Sequence, residues 1–115
     1  MQQREKVEKL LAWFAKAALR HAEAIEAMHE EDALTQVQCL DRVFLALKRE
    51  GGMEPFLALL DDQEPAISGM AAVYAMREAP HRCTAVLVAL AKRPGLMGFR
   101  AQVALELWES GQWPR

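Results

Sequence analysis

No glycine or proline occurs in the first 50 residues of this 115-residue chain. The stretch therefore lacks the two residues that most readily stop a helix or turn the backbone. Within it Val7, Leu10 or Leu11, Phe14, Ala18, His21, Ile25 and Met28 recur at steps of three and four, which draws one continuous stripe on a helix. Alanine, glutamate, lysine and arginine, all good helix formers, fill the positions between them. The spacing predicts a first helix over 3–29.

Glu30-Glu31-Asp32 then reads as a turn, with Asp32 placed to cap the next helix. Leu34, Val37, Leu40, Val43, Phe44 and Leu47 carry a second helix over 32–50. Lys48 and Arg49 suit its negative end, and Gly51-Gly52 stops it. Phe56, Leu57, Leu59 and Leu60 mark a short helix over 53–60. Asp61-Asp62-Gln63-Glu64-Pro65 turns the chain into a fourth over 65–78, with Ile67, Met70, Ala71 and Tyr74 as its stripe. Pro80 opens a fifth over 81–91, bearing Val86, Leu87 and Leu90. Pro94-Gly95 precedes a sixth over 97–110, with Phe99, Val103, Leu107 and Trp108 as its apolar face, and Gly111 and Pro114 end it. Period-2 alternation never persists, and β-branched residues are sparse. The expectation is an all-α chain of about six helices.

A length of 115 residues suits a single domain over 1–115, long enough to bury a core without disulfide or metal staples. Hydrophobic residues at 52% and charged residues at 26% argue against disorder. A net charge of −2 gives no global preference for nucleic acid. No apolar run is long enough to span a membrane, and the polar start (Met1-Gln2-Gln3-Arg4-Glu5-Lys6) does not read as a signal peptide. Cys39 and Cys83 stand outside any paired-cysteine motif. A cytoplasmic protein with free thiols and no cofactor, either a monomer or a small homo-oligomer, is the expectation.

Shifted by 30 residues, the second half partly overlays itself. Leu57 falls on Leu87, Leu60 on Leu90, Ala71 on Ala101, Val73 on Val103 and Pro65 on Gly95. Each copy is a short helix, a turn and a longer helix, the unit that helical solenoids stack. Asp61-Asp62-Gln63-Glu64-Pro65-Ala66-Ile67 resembles the turn into the second helix of a HEAT repeat, although Ser68 stands where that family usually has arginine. Lys48-Arg49-Glu50-Gly51-Gly52, and Pro94-Gly95-Leu96-Met97-Gly98-Phe99 with Ala101, Leu105, Trp108 and Gly111, resemble a small bacterial family of uncharacterised HEAT-like proteins. The resemblance implies three antiparallel hairpins in a right-handed HEAT-like α-solenoid. It carries no activity with it; by analogy, small helical proteins of this sort resemble immunity proteins of bacterial toxin systems.

Candidate chemistry is sparse. His21 lies on the first helix's stripe, with Trp13 beside it, and reads as a core histidine before a poised base. His29 with Glu26, Glu30 and Asp32 offers imidazole and carboxylates, but without metal-site spacing, and reads as a solvated acidic turn. His81 and Cys83 sit at the start of the fifth helix, where a helix amino terminus lowers a thiol pKa. Two residues apart on a helix, they point in different directions and form no dyad. Cys39 reads as core filler or a half-buried thiol. Trp113 lies past the last helix, either packed back or free to anchor a partner.

The charge is segregated. Residues 1–20 hold five basic and two acidic side chains, residues 21–64 three and eleven, and residues 65–115 six and three. In a stack of hairpins, Glu30, Glu31 and Asp32 of one turn and Asp61, Asp62 and Glu64 of another share an edge, while Lys92 and Arg93 reverse the sign at one end. Helix capping and solubility account for such acids. An electrostatic edge for a basic partner protein is the functional reading. It makes the chain a non-enzymatic protein-binding module, with an immunity protein for a cationic toxin as its sharpest form. The competing readings are nucleic-acid binding by a basic face of Lys9, Lys16, Arg20, Lys92, Arg93 and Arg100, and an enzyme centred on Cys83 or His21.

Overall fold

The structure is a computed structural model that describes residues 2–114. Among the described residues it contains six α-helices and no strand: α1 (Gln2–Glu26), α2 (Glu30–Arg49), α3 (Met53–Leu57), α4 (Pro65–Tyr74), α5 (Pro80–Ala91) and α6 (Gly95–Glu109). A 3-10 turn, Ala58–Asp61, follows α3. The chain divides into two compact units, Met1–Ala58 and Leu59–Arg115.

In the first unit α1 and α2 pack along each other. Val7, Phe14, Ala17, Ala18, His21 and Ala24 of α1 are buried, as are Ala33, Leu40, Val43, Phe44 and Leu47 of α2. Phe56 of α3 closes this core. Its ring meets Phe14 edge-on at 4.8 Å and Phe44 at 5.1 Å, the tilted geometry that aromatic quadrupoles favour. The start of α1 lies beside the end of α2: the Gln3 side-chain amide donates to the Glu50 carbonyl, and a Cβ on Gly52 would come within 3.2 Å of Val7.

The connection between α1 and α2 departs from the sequence expectation. α1 ends at Glu26, and Met28, assigned to the stripe, leaves the helix with φ +59 and 85% of its surface exposed. The His29 N–H donates to the Ala24 carbonyl (2.8 Å) and the Met28 N–H to that of Ile25 (3.1 Å). That pair of bonds is a Schellman stop, here with methionine in the left-handed position glycine usually fills. Nor does Asp32 cap α2. The cap residue is His29, without a side-chain cap bond, and Asp32 lies inside the first turn.

In the second unit α4 packs on α5, α5 on α6, and α4 touches α6. α4 is buried nearly all round (Ala66, Ile67, Ser68, Ala71, Ala72, Tyr74) and stops at Tyr74. The chain then crosses buried Ala75 and Met76 to Pro80, which opens α5 with the preceding Ala79 out of the helical region. Proline disfavours a helical conformation for the residue before it, and Ala79, at φ −144 and ψ 66, separates the fourth helix from the fifth. α6 begins at Gly95 and buries Gly98, Ala101 and Leu105. The face expected from sequence lies on its other side: Phe99 (65%) and Val103 are exposed, and Leu107 and Trp108 are half-buried. A Cβ at Gly98 would lie 1.8 Å from the Arg93 carbonyl oxygen, so the backbone leading into α6 sits directly on this glycine. Of the residues matched by the 30-residue shift, Leu60 and Leu90 are both buried, as are Ala71 and Ala101. Leu57 and Val73 are half-buried, whereas Leu87 is buried and Val103 exposed.

Candidate functional site

The two acidic turns lie on different units. Glu30, Glu31 and Asp32 occupy the first turn of α2, and all three are exposed. Asp61, at the end of the 3-10 turn, with Asp62 and Glu64 leads into α4, again fully on the surface. Glu30, Glu31 and Asp32 stand in the first turn of α2 and Glu64 at the N-cap of α4, where the helix dipole is positive and favours a carboxylate.

Within each cluster the acids differ in what they hold. Asp32 lies 3.7 Å from the His29 imidazole, and Asp61 lies 3.5 Å from the Arg82 guanidinium. Both pairs are exposed, which limits each to at most about 1 kcal/mol. Asp62 accepts the Glu64 backbone N–H at 2.9 Å, a local turn that fixes this segment. Glu30, Glu31 and Glu64 make no ion pair among the described residues and present their charge to water.

The basic residues expected to form one face fall into two groups. Lys9, Lys16 and Arg20 are exposed on α1 of the first unit. In the second, Lys92 and Arg93 follow α5, and Arg100 lies on α6, all exposed. Lys6 and Trp13 share the exposed side of α1 with the first group, two residues that sequence reasoning did not join to it. Their three-and-four spacing was the available signal.

His21 is a core residue, 6% exposed, and it is engaged in the first unit's interior. Cys83 sits in the first turn of α5, as the sequence suggests, but it is wholly buried, and burial pushes its thiol up to about 11. The nearby Arg82 charge works in the opposite direction and Glu78 adds to the rise, so desolvation outweighs the Arg82 charge and the thiol is raised where the helix terminus alone would lower it. A thiol held in that state is a poor nucleophile near neutral pH. His81 is exposed and Cys39 half-buried. No group of three or more His, Cys, Asp or Glu side chains placed to hold a metal ion occurs among the described residues.

The carboxyl-terminal tail packs back on its own unit. Trp113 meets Trp108 edge-on at 5.9 Å, and the Arg77 guanidinium donates to the Trp113 carbonyl at 3.2 Å. The indole N–H of Trp113 is buried without a hydrogen-bond partner. No helix among the described residues is long and apolar enough to cross a membrane.

No protein-family model, no curated protein and no solved structure matches this chain.

Proposed function

We propose that the chain is a non-enzymatic, HEAT-like protein-binding module whose acidic turns receive a basic partner protein. The observation that carries this reading is the pair of exposed carboxylate clusters, Glu30-Glu31-Asp32 and Asp61-Asp62-Glu64, in which Glu30, Glu31 and Glu64 have no ion-pair partner among the described residues. Each cluster is treated as a contact in its own right, one per unit. Unpaired surface carboxylates speed encounter with a cationic surface and penalise acidic competitors. A bacterial toxin domain with a basic surface, neutralised by its immunity protein, is the partner class that this charge fits best.

The HEAT-like part of the proposal rests on the sequence resemblance, on the 30-residue repeat, and on the way the start of α1 meets the end of α2, as two helices of a hairpin do. Burial of Cys83 and of His21 favours a binding role over the thiol and general-base chemistry considered for them.

Charge reversal tests the proposal. The triple substitutions Glu30→Lys/Glu31→Lys/Asp32→Lys and Asp61→Lys/Asp62→Lys/Glu64→Lys are each expected to weaken a basic partner's affinity at least tenfold at low salt. Unchanged affinity in both variants would refute the acidic contacts.

A further inference from the structure

The outward face of α1 lies outside that reading. Lys6, Lys9, Trp13, Lys16 and Arg20 are all exposed and follow one another at alternating steps of three and four. At 3.6 residues per turn they fall within about 80° of one another and run about 21 Å along the axis. The other side of the helix is committed to the core through Val7, Phe14, Ala18 and His21. Trp13, at the centre of the row, keeps 56% of its surface exposed. None of the four cations makes an ion pair among the described residues, and the nearby Arg4–Glu8 pair leaves them untouched.

This layout discriminates among partners. An apolar helix laid on the row would strip water from four charges and gain one indole in return. Insertion into a lipid surface needs an apolar face, and this face has one apolar residue. A chain of phosphates carrying flat, accessible bases satisfies both features together. The cations neutralise phosphates, and an indole offers a stacking platform for any base. Along the axis Lys9 and Lys16 are separated by about 10 Å, with Trp13 between them, so a base can lie on the indole while phosphates on either side reach a lysine. A duplex keeps its bases inside and offers nothing to Trp13. The chain's overall negative charge is no obstacle, because the relevant charge is local: residues 1–20 carry five basic and two acidic side chains.

We propose that the α1 face formed by Lys6, Lys9, Trp13, Lys16 and Arg20 binds single-stranded nucleic acid without sequence preference, its cations on the phosphates and Trp13 stacked on a base. The contact is electrostatic with one aromatic anchor, so it weakens steeply with salt. Four phosphate contacts give a slope of log affinity against log salt of about −3.

Fluorescence anisotropy of a labelled oligothymidylate of about twelve nucleotides tests this on the full chain, with a mixed-sequence duplex of the same length alongside. The single strand is expected to bind more tightly than the duplex. Lys9→Glu/Lys16→Glu should lower affinity more than tenfold and flatten the salt slope. Trp13→Ala should lower affinity about tenfold and leave the slope unchanged, because a base is lost and no phosphate contact is, while Trp13→Phe retains most of the binding. All substituted positions are exposed, and far-UV circular dichroism checks that each variant keeps its helices. The gentler Lys9→Gln/Lys16→Gln serves if charge reversal unfolds the chain. Absence of binding at low salt, affinity indifferent to these variants, or stronger competition by polyglutamate or by anionic phospholipid vesicles than by unlabelled oligothymidylate would overturn the proposal.

Discussion

Three helices end in the same hydrogen-bonded turn, and one of them does so without glycine. α2 and α6 stop with Gly51 and Gly111 at positive φ, whereas α1 stops with Met28 at φ +59. Each time the positive-φ residue and the one after it return their N–H groups to carbonyls of the helix's last turn. The glycine stops are legible in the sequence because only glycine takes that conformation without strain. The methionine stop is not legible, because nothing in the residue type announces it, and the three-four spacing carries straight through to Met28. Met28→Gly is therefore expected to stabilise the protein by about 0.5–1 kcal/mol, since the exposed methionine side chain contributes little packing to lose. A rise in the thermal midpoint checks this, and a fall would mean that the side chain is held by something other than its backbone geometry.

Cys83 makes the stability of the fold depend on pH. Its thiol titrates near 9.0 when exposed and near 11 when folded. Above pH 9 the unfolded chain loses this proton first, so the contribution of Cys83 is intact below that pH and is lost as pH rises through 11. Native protein should lose up to about 2–3 kcal/mol more stability across this window than Cys83→Ala does. Denaturant titrations at pH 8 and 10.5 measure the difference, and equal losses in the two proteins would contradict the assignment. At neutral pH a thiol reagent should label Cys39 in the native state and Cys83 only once the chain unfolds.

At the scale of elements, the two halves of the chain differ in how openly their patterns can be read. α1 and α2 alternate apolar and charged sides, so Phe14, Leu40, Val43, Phe44 and Leu47 are found from spacing alone. α6 carries apolar residues around most of its circumference, with a polar stripe of Gln102, Glu106 and Glu109. Choosing its largest residues selects Phe99 and Val103, whereas the buried face uses Gly98, Ala101 and Leu105, because small residues let the neighbouring backbone approach. Size misleads wherever packing is set by close approach. The two faces are separable by substitution: Leu105→Ala should cost about 2–4 kcal/mol, Phe99→Ala under about 1 kcal/mol. Gly98→Ala should cost about 2–3 kcal/mol despite alanine's better helix propensity, because the Arg93 carbonyl occupies the space its methyl needs. Denaturant midpoints of the three variants rank them, and a Phe99 variant less stable than the Leu105 variant would reverse the assignment of the faces. α4 shows a different limit. Its end at Tyr74 is hidden in the sequence because helix-forming residues continue to Glu78, and only Pro80 hints that the chain must leave the helix beforehand.

At the scale of the whole molecule, the charge distribution is the feature that the sequence states most directly. The acids of both candidate contacts are adjacent in the chain, so Glu30-Glu31-Asp32 and Asp61-Asp62-Glu64 can be named without knowing the fold. The cations of α1 are spread over four helical turns; their three-and-four spacing with Trp13 is written in the sequence, and exposure shows that Lys6, Lys9, Trp13, Lys16 and Arg20 all lie on the open side of the helix. Catalytic roles for Cys83 and His21 stayed open in the sequence because burial and its desolvation cost depend on tertiary packing. The acidic turns are proposed to bind a basic protein. The most direct test is affinity capture from the native cell extract at low and high salt, with the native protein and the two charge-reversed triple variants run side by side. A basic partner is expected to be held by the native protein at low salt, released at high salt, and lost or much reduced with either variant. A partner retained equally by native and charge-reversed protein, or insensitive to salt, would contradict binding by the acidic turns.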